Sequence, residues 1–257
     1  MKCLRTVKTV KRALTWLMFL ALALRASYIV QPAPSQPIFP STTTASLVQS
    51  AKNQTASTPT SLSVNFGSQP AVGDIVVAGG VTDSSAQDAS LIMSDNQNGS
   101  YVRLNMTPNS SAATTQRSSL WCAPIVASSG TYTVTATVPI NTFIGIFVLE
   151  YHNGTCNPDK LTGASTNTSP YNCGSFTTSN ANDILVTMLN IDGASATPTF
   201  TAPSGFTIQQ QQTVVASGIP AAIADQITSA TAAFSPTWTS NKNQALSPCS
   251  FVALLSK

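Results

Sequence analysis

From Ser61 to Lys257, short apolar stretches alternate residue by residue with serine and threonine. The segments SLSVNF, TYTVTATV, DILVTML and SFTT all keep a period of two, the spacing of a strand with one buried face. Turn pairs punctuate them at Gly73-Asp74, Asn98-Gly99, Ser129-Gly130, Asn153-Gly154 and Ser204-Gly205. No stretch carries an apolar stripe at helical spacing. Charged residues make up only 8% of the chain, too few to cover exposed helices with ion pairs. The pattern predicts an all-β fold whose outward faces are hydroxyl-rich.

The alternating segments recur. Phe66–Asp83 (FGSQPAVGDIVVAGGVTD) aligns with Phe176–Asp192 (FTTSNANDILVTMLNID), placing Asp74 and Asp183 at one equivalent position. Asn98-Gly99 then matches Ser204-Gly205, Leu120–Ala123 matches Ala222–Asp225, and Phe147–Leu149 matches Phe251–Ala253. The expected architecture is one large jelly-roll-like β-sandwich built from two pseudo-equivalent halves, 61–152 and 174–257, of six or seven strands each. Two small sandwiches in tandem are the alternative. The single sandwich is favoured because the connection between the halves, Asn153 to Gly174, reads as a disulfide-stapled polar loop.

Several runs carry a resemblance. Gly-Asp-Ile-Val-Val at 73–77, Ser-Asp-x-x-x-Gly-x-Tyr at 94–101, Gly-Thr-Tyr-Thr-Val-Thr at 130–135 and Phe-Val-Leu-Glu-Tyr-His-Asn-Gly at 147–154 resemble secreted bacterial β-sandwich surface domains of jelly-roll or lectin-like type. The likeness covers residues 61–256. It implies an extracellular surface role, supplies no catalytic residues, and says nothing of cysteine pairing.

The N-terminal segment reads as an export signal. Lys2, Arg5, Lys8, Lys11 and Arg12 precede the apolar run Ala13–Leu24, which is shorter than the roughly 20 residues of a membrane-spanning helix. Residues 1–26 are expected to be a signal peptide, with an uncleaved anchor reaching Val30 as the competing reading. Residues 27–60, rich in Pro, Ser and Thr, read as a disordered linker. Beyond Arg25, six cations face nine acids, a net charge of −3. Six scattered cations cannot displace counterions from a phosphate backbone, so nucleic acid is excluded as a partner. No membrane contact is expected beyond the possible N-terminal anchor.

With Cys3 in the signal, Cys122, Cys156, Cys173 and Cys249 remain, an even number in an exported chain. Of three pairings, the local one is expected: Cys156–Cys173, leaving Cys122–Cys249. A single histidine and the absence of C-x-x-C give no basis for a metal site, and no cofactor is expected.

Glu150, the chain's only glutamate, and His152 lie two apart at the end of an apolar strand and share one face. A carboxylate orienting an imidazole would make a general base. No nucleophile motif accompanies them, and the reading taken is structural, with Glu150 accepting N–H bonds from the Asn153-Gly154 turn. Asp95, Asn96 and Asn98 have the oxygen-rich spacing of a calcium loop without its distal acid; a tight hairpin explains them better. Tyr151, Tyr171 and Trp238 are the candidate platforms for a sugar ring, with Glu150 and His152 beside them. The functional expectation is a secreted or surface-displayed, non-catalytic binding or adhesion module meeting an extracellular polysaccharide or cell-surface polymer. A purely structural surface component and a lectin-fold glycan-active enzyme are the alternatives.

Overall fold

A computed structural model describes residues 44–55, 57–83, 89–107, 117–191, 197–213, 219–242 and 247–257. The expected signal peptide and linker residues 27–43 lie outside them. The described residues are all-β, arranged in several antiparallel sheets without a closed barrel.

The first half holds β1 (Ser46–Gln54), β2 (Ser61–Asn65), β3 (Ile75–Thr82), β4 (Ile92–Asp95), β5 (Gly99–Ser100), β6 (Val102–Thr107), β7 (Ser118–Pro124), β8 (Thr133–Thr137) and β9 (Ile144–His152). The second holds β10 (Gly154–Thr166), β11 (Tyr171–Asn172), β12 (Phe176–Thr177), β13 (Ile184–Asn190), β14 (Phe200–Thr201), β15 (Thr207–Gln212), β16 (Ala221–Ile227), β17 (Ala233–Phe234), β18 (Thr237–Ser240) and β19 (Ser247–Ser256). Each half supplies one five-stranded sheet, ordered β1-β9-β3-β7-β6 in the first and β10-β19-β13-β16-β15 in the second. Matched by place in the sheet, β1, β9, β3, β7 and β6 correspond to β10, β19, β13, β16 and β15. A smaller sheet accompanies each: β2-β8-β4-β5 in the first half, β11-β18-β14 with the β12-β17 pair in the second.

The side chains sort into three cores. Val77, Cys122, Leu149 and Tyr151 of the first large sheet meet Ile184, Val186, Ile223 and Val252 of the second. The opposite face of the first large sheet, with Val76, Trp121 and Val148, packs on Val64, Met93 and Val134 of the four-stranded sheet. The opposite face of the second, with Leu185, Ala224 and Phe251, packs on Tyr171, Phe200 and Trp238. The chain thus stacks four layers, with the two large sheets back to back in the middle. The single large sandwich expected from the sequence is not confirmed by this layering. The inner strands are apolar on both faces because both faces are covered: all eight residues of β3 are buried.

Such stacking leaves little room between layers. A Cβ on Gly79 of β3 would lie 2.7 Å from Met188 Sδ of the facing sheet, so a larger residue there would push the methionine side chain aside.

Two expectations about chain segments change. Ser46–Gln54, assigned to the linker, forms the edge strand β1 and pairs with β9 along its length. Leu47 packs against the central core and Ala51 against the outer one, the rest of the strand is mostly polar, and β9 supplies its backbone partners. The expected stapled loop between the halves is also a strand, β10, paired with β19 with register breaks between Gly154 and Lys160. Pro158 is tolerated there because β10 is an edge.

The cysteine pairing differs from the expected one. Cys122 bonds to Cys156 with a Cα–Cα separation of 5.6 Å, and Cys173 bonds to Cys249 at 5.0 Å. Cys122 points into the central core, so its bridge to β10 joins the first large sheet to the second. Sequence proximity favoured Cys156–Cys173, but β10 carries these two residues to different layers. Two disulfides suit an oxidising, extracellular-like compartment. Among the described residues, no helix is long and apolar enough to cross a membrane.

Candidate functional site

The pairing of β3 with β9 sets Val76 opposite Glu150 and Ile75 opposite Tyr151. Glu150 continues the row Ile144, Ile146 and Val148, which faces the outer core of the first half, and it is fully buried. Its Oε1 accepts the Ala71 N–H at 2.9 Å, and its Oε2 accepts Gln49 Nε2 at 2.6 Å. Gln49 Oε1 in turn accepts the Ser68 N–H at 3.1 Å. The segment tied down is therefore the loop from Phe66 to Asp74, which precedes β3, and not the Asn153-Gly154 turn. Burial pushes the Glu150 carboxyl up, the bonds from Gln49 and Ala71 hold it down, and nearby Asp74 adds a further upward push. Asp74 is itself buried and lies 2.7 Å from Nδ1 of the exposed His152. Glu150 and His152 are thus brought together through Asp74, in a chain that ends at the surface.

The three aromatic candidates are not platforms. Tyr151, Tyr171 and Trp238 are each fully buried. Tyr151 points the other way from Glu150, into the central core, and its hydroxyl donates to Asp225 Oδ2 at 2.8 Å. Gln209 Nε2 donates to the other oxygen of Asp225 at 2.7 Å. Burial pushes the Asp225 carboxyl up, and these two bonds oppose it. The Tyr151 hydroxyl is driven well above its ordinary range by burial and by the Asp225 charge. Tyr171 donates to the Lys242 carbonyl at 2.5 Å, and Trp238 Nε1 donates to Thr187 Oγ1 at 3.1 Å. Both sit around the Cys173–Cys249 bridge, whose sulfurs lie 3.3 and 3.5 Å from the same Thr187 hydroxyl.

The oxygen-rich segment at 95–98 closes a hairpin. Asp95 Oδ1 accepts the Gln97 N–H at 2.7 Å and the Asn98 N–H at 2.5 Å, while Oδ2 accepts the Tyr132 hydroxyl at 2.8 Å. Gly99 supplies the positive φ of 92° that the turn needs.

Half-buried rings occur elsewhere, on the outer layer of the second half. Phe176 and Phe234 stack with centroids 5.7 Å apart, and Phe176 rests on buried Phe251 at 4.3 Å. Two open grooves flank the ridge Ala233–Ser235. One, of about 410 Å³, is lined by Ser175, Phe176, Thr177 and Phe234. The other, of about 340 Å³, is lined by Phe206, Phe234, Ser204, Pro203, Pro236 and Thr237. Neither holds a charged side chain. Ser235 Oγ accepts Asn172 Nδ2 at 2.8 Å and the Ser175 hydroxyl at 3.0 Å, so hydroxyls stand fixed beside the rings. Phe176, Phe206 and Phe234 carry no sequence signal distinguishing them from core residues; they are half-buried, Phe176 and Phe234 on the two-residue strands β12 and β17 and Phe206 just before β15. No protein-family model, curated protein or solved structure matches this chain.

Proposed function

We propose that the chain is an exported, surface-displayed binding module without catalytic activity, and that its ligand is a neutral extracellular polysaccharide. The observation that carries the reading is the pair of uncharged grooves in which Phe176, Phe206 and Phe234 alternate with Ser and Thr hydroxyls. A pyranose ring offers an apolar C–H face to an aromatic ring and hydroxyls to its neighbours, and the grooves offer the complementary surfaces. With β1, β9, β3 and β7 over β2, β8 and β4 in the first half, and β10, β19, β13 and β16 over β11, β18 and β14 in the second, each half resembles a jelly roll in its strand order. We read the chain as two such sandwiches joined back to back. The reading without catalysis is supported by the engagement of Glu150, both of whose oxygens accept protein hydrogen bonds. The export reading rests on the N-terminal charge and apolar run together with the disulfides.

Incubation of the full disulfide-bonded chain with insoluble polysaccharides and a glycan array tests this. Specific retention that Phe234→Ala abolishes, with an unchanged melting temperature, is the expected result. Absence of binding to any polymer replaces the reading with a purely structural surface component. Polysaccharide turnover lost in Glu150→Gln replaces it with a glycan-active enzyme.

A further inference from the structure

The two halves handle the starts of β3 and β13 differently. In the first half, Gln49 of β1 accepts the Ser68 N–H and donates to Glu150, and His152 faces Asp74. Glu150 and Asp74 also lie close together, but each has a partner of another kind, Gln49 and the Ala71 N–H for Glu150 and His152 for Asp74. In the second half, the position that receives the corresponding loop N–H is an acid. Asp159 of β10 accepts the Ser179 N–H at 2.6 Å through Oδ2. The carboxyl of Asp183, which immediately precedes β13 as Asp74 precedes β3, lies within hydrogen-bonding reach of Asp159. Asp183 is fully buried, and neither of its carboxyl oxygens has a donor.

We propose that Asp159 and Asp183 hold one proton between them, and that this proton is a pH-sensitive latch fastening β10 to the start of β13. Two carboxylates in contact cannot both be charged without a large penalty, and a buried one without a donor less still. A proton on Asp183 turns the repulsive pair into a donor and an acceptor. The surroundings offer little other relief. Lys160 Nζ sits 3.4 Å from Asp159 Oδ1 and is also engaged by the Ser179 hydroxyl at 2.7 Å. The neighbouring strands β12, β13, β17 and β19 contain no charged residue, and the 228–232 loop, whose Thr228 N–H bonds the Asp183 carbonyl, contains none either. The charged residue of β16, Asp225, is committed to Tyr151 and Gln209 in the central core.

The electrostatics follow the geometry. Burial, and then Asp159, push the Asp183 carboxyl up to about 7, while the Ser179 bonds hold Asp159 below its ordinary range despite opposing burial. A group with a raised folded-state value stabilises the fold most below its unfolded value. That contribution is lost as pH rises through the folded value. The latch is therefore closed in mildly acidic solution and released across neutrality, where β10, already broken in register between Pro158 and Lys160, loses its tie to the 179–183 loop.

Thermal melting of the full chain at pH 5 and pH 9, with disulfides intact, tests the latch against Asp183→Asn. The asparagine amide donates to Asp159 at every pH, so the variant should match the parent at pH 5. At pH 9 it should melt higher by about 5 °C. Glu150 and Asp225 are also pushed up by burial, and the difference between variant and parent cancels their share. Carbon NMR of the parent's carboxyl groups should show Asp183 titrating near neutrality. Equal offsets between variant and parent at both pH values, or an Asp183 midpoint in the ordinary carboxylate range, would overturn the proposal. So would a parent whose melting at pH 9 rises with calcium chloride while that of Asp183→Asn does not, since the pair would then hold a cation rather than a proton.

Discussion

The Cys122–Cys156 bridge makes a sharp test of how the halves are joined. It closes 34 residues of chain, and Cys173–Cys249 closes 76. The two loops follow one another without overlap, so each constrains its own stretch of the unfolded chain. Loop-closure entropy gives about 4 kcal/mol at 25 °C for the first and about 4.5 kcal/mol for the second. The double variant Cys122→Ala/Cys156→Ala should therefore lose about 4 kcal/mol. For a chain of this size that is a fall in melting temperature of roughly 10 °C. Peptide mapping without reduction gives the connectivity directly, because the lysines and arginines fall conveniently. Cleavage after Arg117, Lys160 and Lys242 yields 118–160, holding both Cys122 and Cys156, then 161–242 with Cys173 and 243–257 with Cys249. The structure requires an internally bridged 118–160 and a separate linked pair of the other two. A single species containing all three peptides is what Cys156–Cys173 with Cys122–Cys249 would give, and it would refute the four-layer arrangement. A melting temperature lowered by less than about 2 °C in the double variant would refute the entropic argument while leaving the connectivity intact.

Three further substitutions probe the interior. Gly79→Ala pushes a methyl group against Met188 across the central core and should cost about 1–3 kcal/mol by denaturant unfolding. Tyr151→Phe removes the hydroxyl that reaches from β9 to Asp225 of β16; about 1–3 kcal/mol should be lost, with a smaller loss at low pH, where Asp225 is protonated. Glu150→Ala strands the Ala71 N–H and the Gln49 amide and should cost about 1–3 kcal/mol, whereas Glu150→Gln keeps an acceptor for Ala71 and should cost less. Equal losses in the two Glu150 variants would mean that the Phe66–Asp74 loop is not held by that carbonyl oxygen.

The strands of the outer layers were legible because water writes their pattern. In Thr133–Thr137, Val134 and Ala136 are buried while the threonines between them are only partly so, and a period of two follows. The inner strands obey a different rule. Thr187 in DILVTML reads as an outward hydroxyl, yet it is fully buried and accepts the Trp238 indole N–H. A strand covered on both faces can hold a polar residue wherever a partner waits in the next layer, and one sequence does not show the next layer. The same blindness misplaced Tyr151, Tyr171 and Trp238. An aromatic residue beside asparagines has the composition of a sugar platform, and only the stacking of sheets sends it inward. Ser46–Gln54 shows the converse, a segment with too little apolar content to order itself that is ordered by hydrogen bonding to β9.

The repeat carried more information than any individual motif, and its departures carry the most. Aligning Asp74 with Asp183 places them immediately before the matching inner strands β3 and β13. The alignment did not extend to β1 and β10, because β1 had been assigned to a linker and β10 to a loop. The comparison of Gln49 with Asp159 is therefore out of reach of the sequence, although it separates an acid whose two oxygens both accept N–H donors from one left without a donor. The repeated strands kept their apolar residues because the central core requires them on both sides. The polar residues at the ends of those strands answer only to local loops, so the two halves diverged there. Divergence at that edge is where a chain assembled from two similar halves acquires properties that neither half would have alone.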